Sequence, residues 1–232
     1  MAIALRLVIP GVLALLFSQA LQAQYLYVDC SGTNPYVYSR INAALPYAGP
    51  GAFIFVTGTC NESVALQSQN QLNLGAFYGQ TAAITGGLSV GSSQNIYLYG
   101  LNVTNPSGDG ISVFESRNVT LDTCTSSGSA GVGLRVSGSS DVTITTMGSF
   151  DNNANGGINI YSNSMVSVLV WGGGVDISSN GGPGVYASEG NFLSFGHMTI
   201  AGNTVGNAAT PAFGIDLRGG AHAQIGSVLA RT

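Results

Sequence analysis

Lysine is absent from this chain, and charged residues of either sign are few. The 232 residues include six cationic residues, all of them Arg, and charged residues make up 7% of the chain. Nucleic acids are bound chiefly through Lys and Arg on a protein surface, so we expect no nucleic-acid partner. The hydrophobic content of 45% argues against a disordered chain.

Long apolar runs are also scarce. The longest, LVIPGVLALLF at residues 7–17, has 11 residues, whereas a helix that spans a bilayer needs about 20. This run follows a weakly basic start, MAIALR, and precedes the small residues of SQALQAQ. That order is typical of a secretory signal peptide. We predict a signal peptide over residues 1–23 and a secreted or cell-surface protein with no membrane segment after cleavage; a retained anchor is the alternative.

Cysteine is rare, with three residues in the whole chain. In an oxidising compartment a disulfide can form, and we pair Cys30 with Cys60 because both lie near the N-terminus. Three free thiols are the alternative. Cys124 is expected in the core, and His197 and His222 lack partners at a metal-binding spacing. No metal site and no cofactor are therefore expected.

A repeat dominates the rest of the chain. Seven elements of the type G-h-x-h, in which h is apolar and Ser63 replaces Gly in the first element, begin at residues 63, 87, 110, 133, 157, 184 and 214. A second apolar element begins eight residues after each of them, at 71, 95, 118, 141, 165, 192 and 222. Residues that alternate in this way lie on opposite faces of a strand, and a period of 23 or more residues is typical of a solenoid.

The repeat predicts the architecture. We expect an all-β, single-stranded right-handed parallel β-helix, a solenoid of about seven coils with a short N-terminal capping helix. Residues 24–62 would form the cap and first strand, with a helix within 35–49 and FIFV at 53–56 as the entering strand, and residues 63–232 would form the coils. A third interior row is predicted at Leu101, Cys124, Met147, Trp171, Met198 and Val228. The chain stops at Thr232 without an amphipathic cap, so a partner or a missing segment is expected to cover that end.

The strings VDCSG, INAAL and GPGAFIFVTGTCNESV, followed by coils of the GISV and NVTL type, resemble exported bacterial proteins with right-handed β-helix repeats. That group includes the pectate-lyase-like superfamily, and the resemblance covers roughly residues 50–230. It implies an extracellular protein that often handles polysaccharide; some relatives are lyases, hydrolases or epimerases, and others are adhesins or surface proteins. The enzymes' motifs are missing here, including the Asp cluster with G-H-G and R-I-K strings, so no catalytic residue is carried over.

The outward residues of the first elements suggest where a ligand would bind. One column runs Ala65, Ser89, Ser112, Arg135, Asn159, Tyr186, Asp216, and its neighbour runs Gln67, Gly91, Phe114, Ser137, Tyr161, Ser188, Arg218. Aromatic faces pack on the C–H surfaces of sugars, and polar groups meet the hydroxyls. We predict a polysaccharide partner, bound or processed at Arg135, Asn159, Tyr161, Tyr186, Asp216 and Arg218. The alternatives are a lyase or glycoside hydrolase that uses Asp216 with Arg218 or Arg135, and a structural surface protein or adhesin fragment.

Overall fold

A computed structural model describes residues 23–35, 37–169, 174–205, 210–211 and 213–231. The predicted signal peptide at 1–23 lies outside these residues except for its last position, and the predicted interior position Trp171 also lies outside them. No helix in the described part of the chain combines the length and hydrophobicity that a membrane span requires.

The seven G-h-x-h elements form one parallel sheet of seven strands, one strand per coil. Every backbone pairing follows the predicted register; for example, Arg135 lies between Ser112 and Asn159. These first strands are β3 (Val64–Gln67), β6 (Leu88–Gly91), β9 (Ile111–Phe114), β12 (Val132–Ser137), β15 (Gly156–Ile160), β18 (Val185–Ala187) and β22 (Ile215–Leu217).

The second and third strands of the coils belong to one further parallel sheet. The sheet is continuous because three long strands each run from the second-strand position of their coil into the third-strand position. The second strands are β4 (Asn70–Ala76), β7 (Gln94–Tyr99), β10 (Arg117–Asp122), β13 (Asp141–Thr145) and β16 (Met165–Leu169). The third strands are β5 (Ala82–Ile84), β8 (Leu101–Val103), β11 (Thr125–Ser127), β14 (Gly148–Asp151) and β17 (Val175–Ser178). The long strands are β2 (Phe53–Cys60), β19 (Phe192–Ala201) and β23 (His222–Arg231), and a short antiparallel pair consists of β20 (Thr204–Val205) and β21 (Thr210–Pro211).

The N-terminal end differs in part from the prediction. The entering strand is β1 (Tyr25–Asp29), which pairs in parallel with β2, so FIFV is the second strand at this end. The predicted helix is short: α1 covers Ile41–Ala44, and one 3-10 turn follows at Leu45–Tyr47. Pro46 restricts the backbone directly after α1 and lacks the N–H that a longer helix needs. Ile41 and Ala44 are fully buried against the first coils, as the capping role requires.

Glu62 attaches this cap to the solenoid. Its buried carboxylate accepts hydrogen bonds from the backbone N–H groups of Ile41 (2.6 Å) and Asn42 (3.2 Å), and Arg40 lies 3.5 Å away. The predicted disulfide between Cys30 and Cys60 is confirmed. Although Glu62 and the two sulfur atoms lie within 4.8 Å of one another, the cysteines are oxidised and therefore offer no thiolate ligand.

The interior rows form one continuous hydrophobic core along the coils. One predicted member is wrong: Met147 is 59% exposed, and Gly148 takes its place inside. The turn before it is one residue longer than in the preceding coil. Thr123 and Thr146 both adopt the left-handed conformation directly after a second strand, but Cys124 follows Thr123 at once, whereas Met147 lies between Thr146 and Gly148. The last predicted interior residues are also partly exposed, since no described coil lies beyond them; Leu217 is 39% exposed and Ile225 is 49% exposed.

Two interior ladders of polar side chains satisfy the backbone at the coil corners. Between the first and second strands, Ser93, Ser116, Ser140 and Ser164 each accept a hydrogen bond from the backbone of the preceding coil. Between the third and first strands the same role falls to Ser129, Asn153, Asn180 and Asn203. A third ladder lies on the outside, at the starts of the second strands: Asn118 donates to Asn95 through its amide (2.8 Å) and to Asp141 through its backbone N–H.

Candidate functional site

The outward side of the first strands, which we call the first-strand face, carries all six residues singled out in the sequence. In-register pairing places Arg135, Asn159, Tyr186 and Asp216 on four successive coils in one column. Tyr161 and Arg218 follow in the adjacent column, held by backbone hydrogen bonds to Val136 and Ala187. Strong register is expected here, because a slip by one residue would turn the apolar row outward.

Four of these side chains form a continuous zigzag, which we call the Tyr–Arg ladder: Arg135, Tyr161, Tyr186 and Arg218. The guanidinium carbon of Arg135 lies 5.6 Å from the centre of the Tyr161 ring. The rings of Tyr161 and Tyr186 are 5.6 Å apart, and Arg218 lies 5.6 Å from the centre of the Tyr186 ring. Each contact is within the range of a cation–π or aromatic pair, so the four side chains hold one another in place.

An ion pair anchors each end of the ladder. At one end, Nη2 of Arg135 lies 3.3 Å from Oδ1 of Asp109, and Nε of Arg135 also donates to the same carboxylate. Asp109 in turn accepts a hydrogen bond from the backbone N–H of Val132 (2.9 Å). At the other end, Arg218 and Asp216 form a bidentate pair, with Nη2 to Oδ2 at 2.8 Å and Nε to both oxygens at 3.1 Å. The role of Asp109 as an anchor is visible only in the structure.

Asn159 lies buried beneath the Tyr–Arg ladder and forms a hydrogen bond with Tyr161. It is 8% exposed, and its Nδ2 donates to the Tyr161 hydroxyl at 3.1 Å. The amide thereby orients the phenol, and its own Oδ1 is buried without a hydrogen-bond partner among the described residues. The six predicted residues therefore form one connected group, which Asp109 completes.

Toward the N-terminal coils the first-strand face becomes smooth. A shallow cleft of about 220 Å³ is lined by small residues, including Ala65, Ser89 and Ser112, and reaches Asp109 at the start of the ladder. In the adjacent column the ring of Phe114 lies over Gly91, where a Cβ atom would collide with it. Seven strands about 4.8 Å apart make this face roughly 29 Å long, which suits an extended ligand.

Comparison with known proteins decides the family. The family model described as "Right handed beta helix region" matches residues 54–205, which is most of the chain. The chain belongs to the right-handed β-helix family. The solved structures that resemble this β-helix include pectin methylesterase PemA from Erwinia chrysanthemi, with 11% identity, a TM-score of 0.54, and coverage of 77% of this chain and 66% of that one.

A pectin methylesterase in complex with a hexasaccharide gives the same identity, TM-score and coverages. An alginate lyase from Paenibacillus sp. str. FPU-7 is 13% identical with a TM-score of 0.46, covering 89% of this chain and 95% of that one. The chain thus spans 66% of the pectin methylesterases' length, just under two thirds. No curated protein matches the sequence. At these identities the two pectin methylesterases support the fold alone, and they confirm the predicted parallel β-helix.

The two aspartates of the Tyr–Arg ladder are farther apart than the carboxylate pair of a glycoside hydrolase. Two carboxylates that hydrolyse a glycoside lie about 5–10 Å apart. Asp109 binds Arg135, and the strand that carries Arg135 lies three coils, or about 14 Å, from the strand that carries Asp216. Hydrogen bonding with the aspartates raises the pKa of Arg135 and of Arg218 further above its ordinary value, which is opposite to what a general base needs.

A second group of rings was not expected from the sequence; it lies on the outward side of β1, β2 and β7 and directly after β4. The sequence does indicate this group, through the alternation of aromatic and aliphatic residues in YLYV, FIFV and IYLY. Rings pack on one another here as well, with Tyr25 and Phe53 5.5 Å apart and Tyr97 and Tyr99 6.4 Å apart and nearly parallel. In the described part of the chain, however, guanidinium groups stack on rings only on the first-strand face. The aromatic N-terminal face comprises Tyr25, Tyr27, Phe53, Phe55, Phe77, Tyr97 and Tyr99.

Proposed function

We propose that this β-helix protein is exported and binds an extracellular polysaccharide along the first-strand face, at Arg135, Asn159, Tyr161, Tyr186, Asp216 and Arg218. The Tyr–Arg ladder is the observation that carries the proposal. It presents aromatic faces and hydrogen-bonding groups side by side, which is the combination that sugar rings require. The pectin methylesterase that holds a hexasaccharide, with the same type of fold, supports an oligosaccharide as the class of ligand.

The rigidity of the face supports binding of a polymer. Each member of the Tyr–Arg ladder contacts its neighbour on the next coil, and the coils themselves are joined by continuous backbone pairing. Binding therefore orders few side chains that were free before, and the entropic cost of association is small. The ladder is about 14 Å long and continues into the smooth cleft, so several successive sugar units would lie on it.

Export is supported by the disulfide. Disulfides persist in oxidising compartments and are rare in the cytosol, and the Cys30–Cys60 bond joins the strands at the N-terminal end. Residues 1–23 have the sequence pattern of a signal peptide. A secreted or cell-surface protein would meet polysaccharides outside the cell.

A panel of immobilised polysaccharides tests this function. We expect the purified protein to be retained by at least one polymer, without releasing reducing ends or unsaturated sugars from it. Release of either product would replace binding by a hydrolase or lyase activity. If the protein neither binds nor cleaves any polymer, the proposal fails and a structural role of the solenoid at the cell surface becomes the better account.

A further inference from the structure

The first-strand face has no net formal charge in spite of its two arginines. Arg135 is paired with Asp109, and Arg218 is paired with Asp216, so two positive charges meet two negative ones. The side chains of both aspartates are largely buried, with exposures of 17% and 13%, whereas the arginines are 42% and 62% exposed. The anions are thus built into the surface on which the cations lie.

This pairing matters for the choice of ligand. A polyuronate carries a carboxylate on every sugar, and Arg recognises carboxylates by a bidentate pair of N–H groups. Asp216 already occupies the Nε–Nη2 edge of Arg218, and Asp109 occupies the same edge of Arg135. An acidic sugar at either end of the ladder would also lie close to one of these aspartates, where like charges repel.

The other described cations do not add an unpaired positive charge to the first-strand face. The chain has no Lys. Arg40 lies at the N-terminal cap beside Glu62, and Arg117 lines a cleft together with Glu115 at the start of a second strand. Among the described side chains, the first-strand face therefore holds no cation without a carboxylate partner.

The groups that remain suit uncharged sugars. The two tyrosine rings offer faces for C–H surfaces, the guanidinium groups keep further N–H donors, and the aspartate oxygens can accept from hydroxyl groups. We propose that the ligand of the first-strand face is a neutral polysaccharide rather than a polyuronate, because each arginine of the Tyr–Arg ladder is already neutralised by its own aspartate. This inference rests on the proposed function and names its ligand class.

The experiment compares neutral and acidic polymers under low and high salt. Galactomannan, xyloglucan and hydroxyethylcellulose serve as neutral probes, and polygalacturonate and alginate serve as acidic ones, in affinity electrophoresis. We expect the wild type to be retarded by a neutral polymer to the same degree at both salt concentrations, because no net charge is there to be screened. Neither acidic polymer should retard it comparably.

Asp216→Asn provides the gain-of-function arm. The amide keeps the shape of the side chain but uncovers the charge of Arg218, so retention by polygalacturonate should rise roughly two- to fivefold at low salt and return to the wild-type level at high salt. The double variant Asp216→Asn with Arg218→Gln is the matched control and should show no gain. Circular dichroism and the melting temperature establish that both variants are folded.

The outcomes separate the two proposals. Salt-sensitive retention by an acidic polymer that exceeds retention by every neutral one overturns the neutral ligand and leaves polysaccharide binding in place. A folded Asp216→Asn variant with no gain for polygalacturonate also overturns the charge argument. Retention by none of the polymers overturns the proposed function and this inference together.

Discussion

At the scale of single residues, Cys124 shows how the solenoid interior changes the chemistry of a side chain. It is 2% exposed and stacks in the third interior row, as the sequence predicted. Burial raises the pKa of its thiol to about 12, because the thiolate would lose its solvation. Since the thiolate is the nucleophile, Cys124 is a core residue and not a reactive one.

A chromogenic disulfide reagent checks the state of the three cysteines. At about pH 8, where an ordinary thiol reacts readily, we expect no reaction in the folded protein. Under denaturing conditions without reductant, one thiol per chain should react, because Cys30 and Cys60 are joined. Rapid reaction of the folded protein would contradict the burial of Cys124, and three thiols after unfolding would contradict the disulfide.

At the scale of elements, the corner ladders explain why turns so rich in Asn and Ser stabilise the solenoid. Asn153 is 1% exposed; its Oδ1 accepts from the backbone N–H of Ser129 (3.0 Å), and its Nδ2 donates to the carbonyl of Ser126 (3.0 Å). These backbone groups belong to the preceding coil, so the amide joins two coils. Asn155, two residues along the same turn, is exposed and makes one longer contact, to Ala130 at 3.3 Å.

This difference predicts unequal costs for two similar substitutions. Asn153→Ala should lower the free energy of unfolding by about 3 kcal/mol, because it leaves a buried donor and a buried acceptor unsatisfied. Asn155→Ala, the matched control, should lower it by less than about 1 kcal/mol. Urea-induced unfolding followed by circular dichroism measures both, and equal effects would show that the interior ladder does not carry this stability.

Also at this scale, the sequence predicts the strands better than the turns. The constant offset of eight residues is enough to place both outward columns, because side chains alternate strictly along a strand and register is set by the buried row. The turn at Met147 could not be predicted in this way, since one additional residue in a turn of variable length shifts the interior position from Met147 to Gly148. Strand β1 was missed because it lies before the repeat and shares no element with it.

At the scale of the whole molecule, stacking of the coils turns scattered residues into a surface. The six residues singled out in the sequence are up to 83 positions apart, from Arg135 to Arg218, yet they form one connected group. Their alignment was predictable from the repeat. The anchoring by Asp109 was not, because that residue lies in a turn outside the repeated elements, and neither was the neutral charge of the face that follows from it.

The central claim is that the ligand lies on the Tyr–Arg ladder, and the most direct measurement is the affinity of two double variants for a retained polysaccharide. Tyr161→Ala with Tyr186→Ala removes both rings of the ladder, whereas Tyr97→Ala with Tyr99→Ala removes a stacked, exposed pair from the aromatic N-terminal face. Two aromatic contacts of about 1 kcal/mol each correspond to a loss of affinity of tenfold or more. The account predicts that loss for the first variant and wild-type affinity for the second. Wild-type affinity of the folded Tyr161→Ala/Tyr186→Ala variant, with loss in the other, would place the ligand on the aromatic N-terminal face and contradict the account.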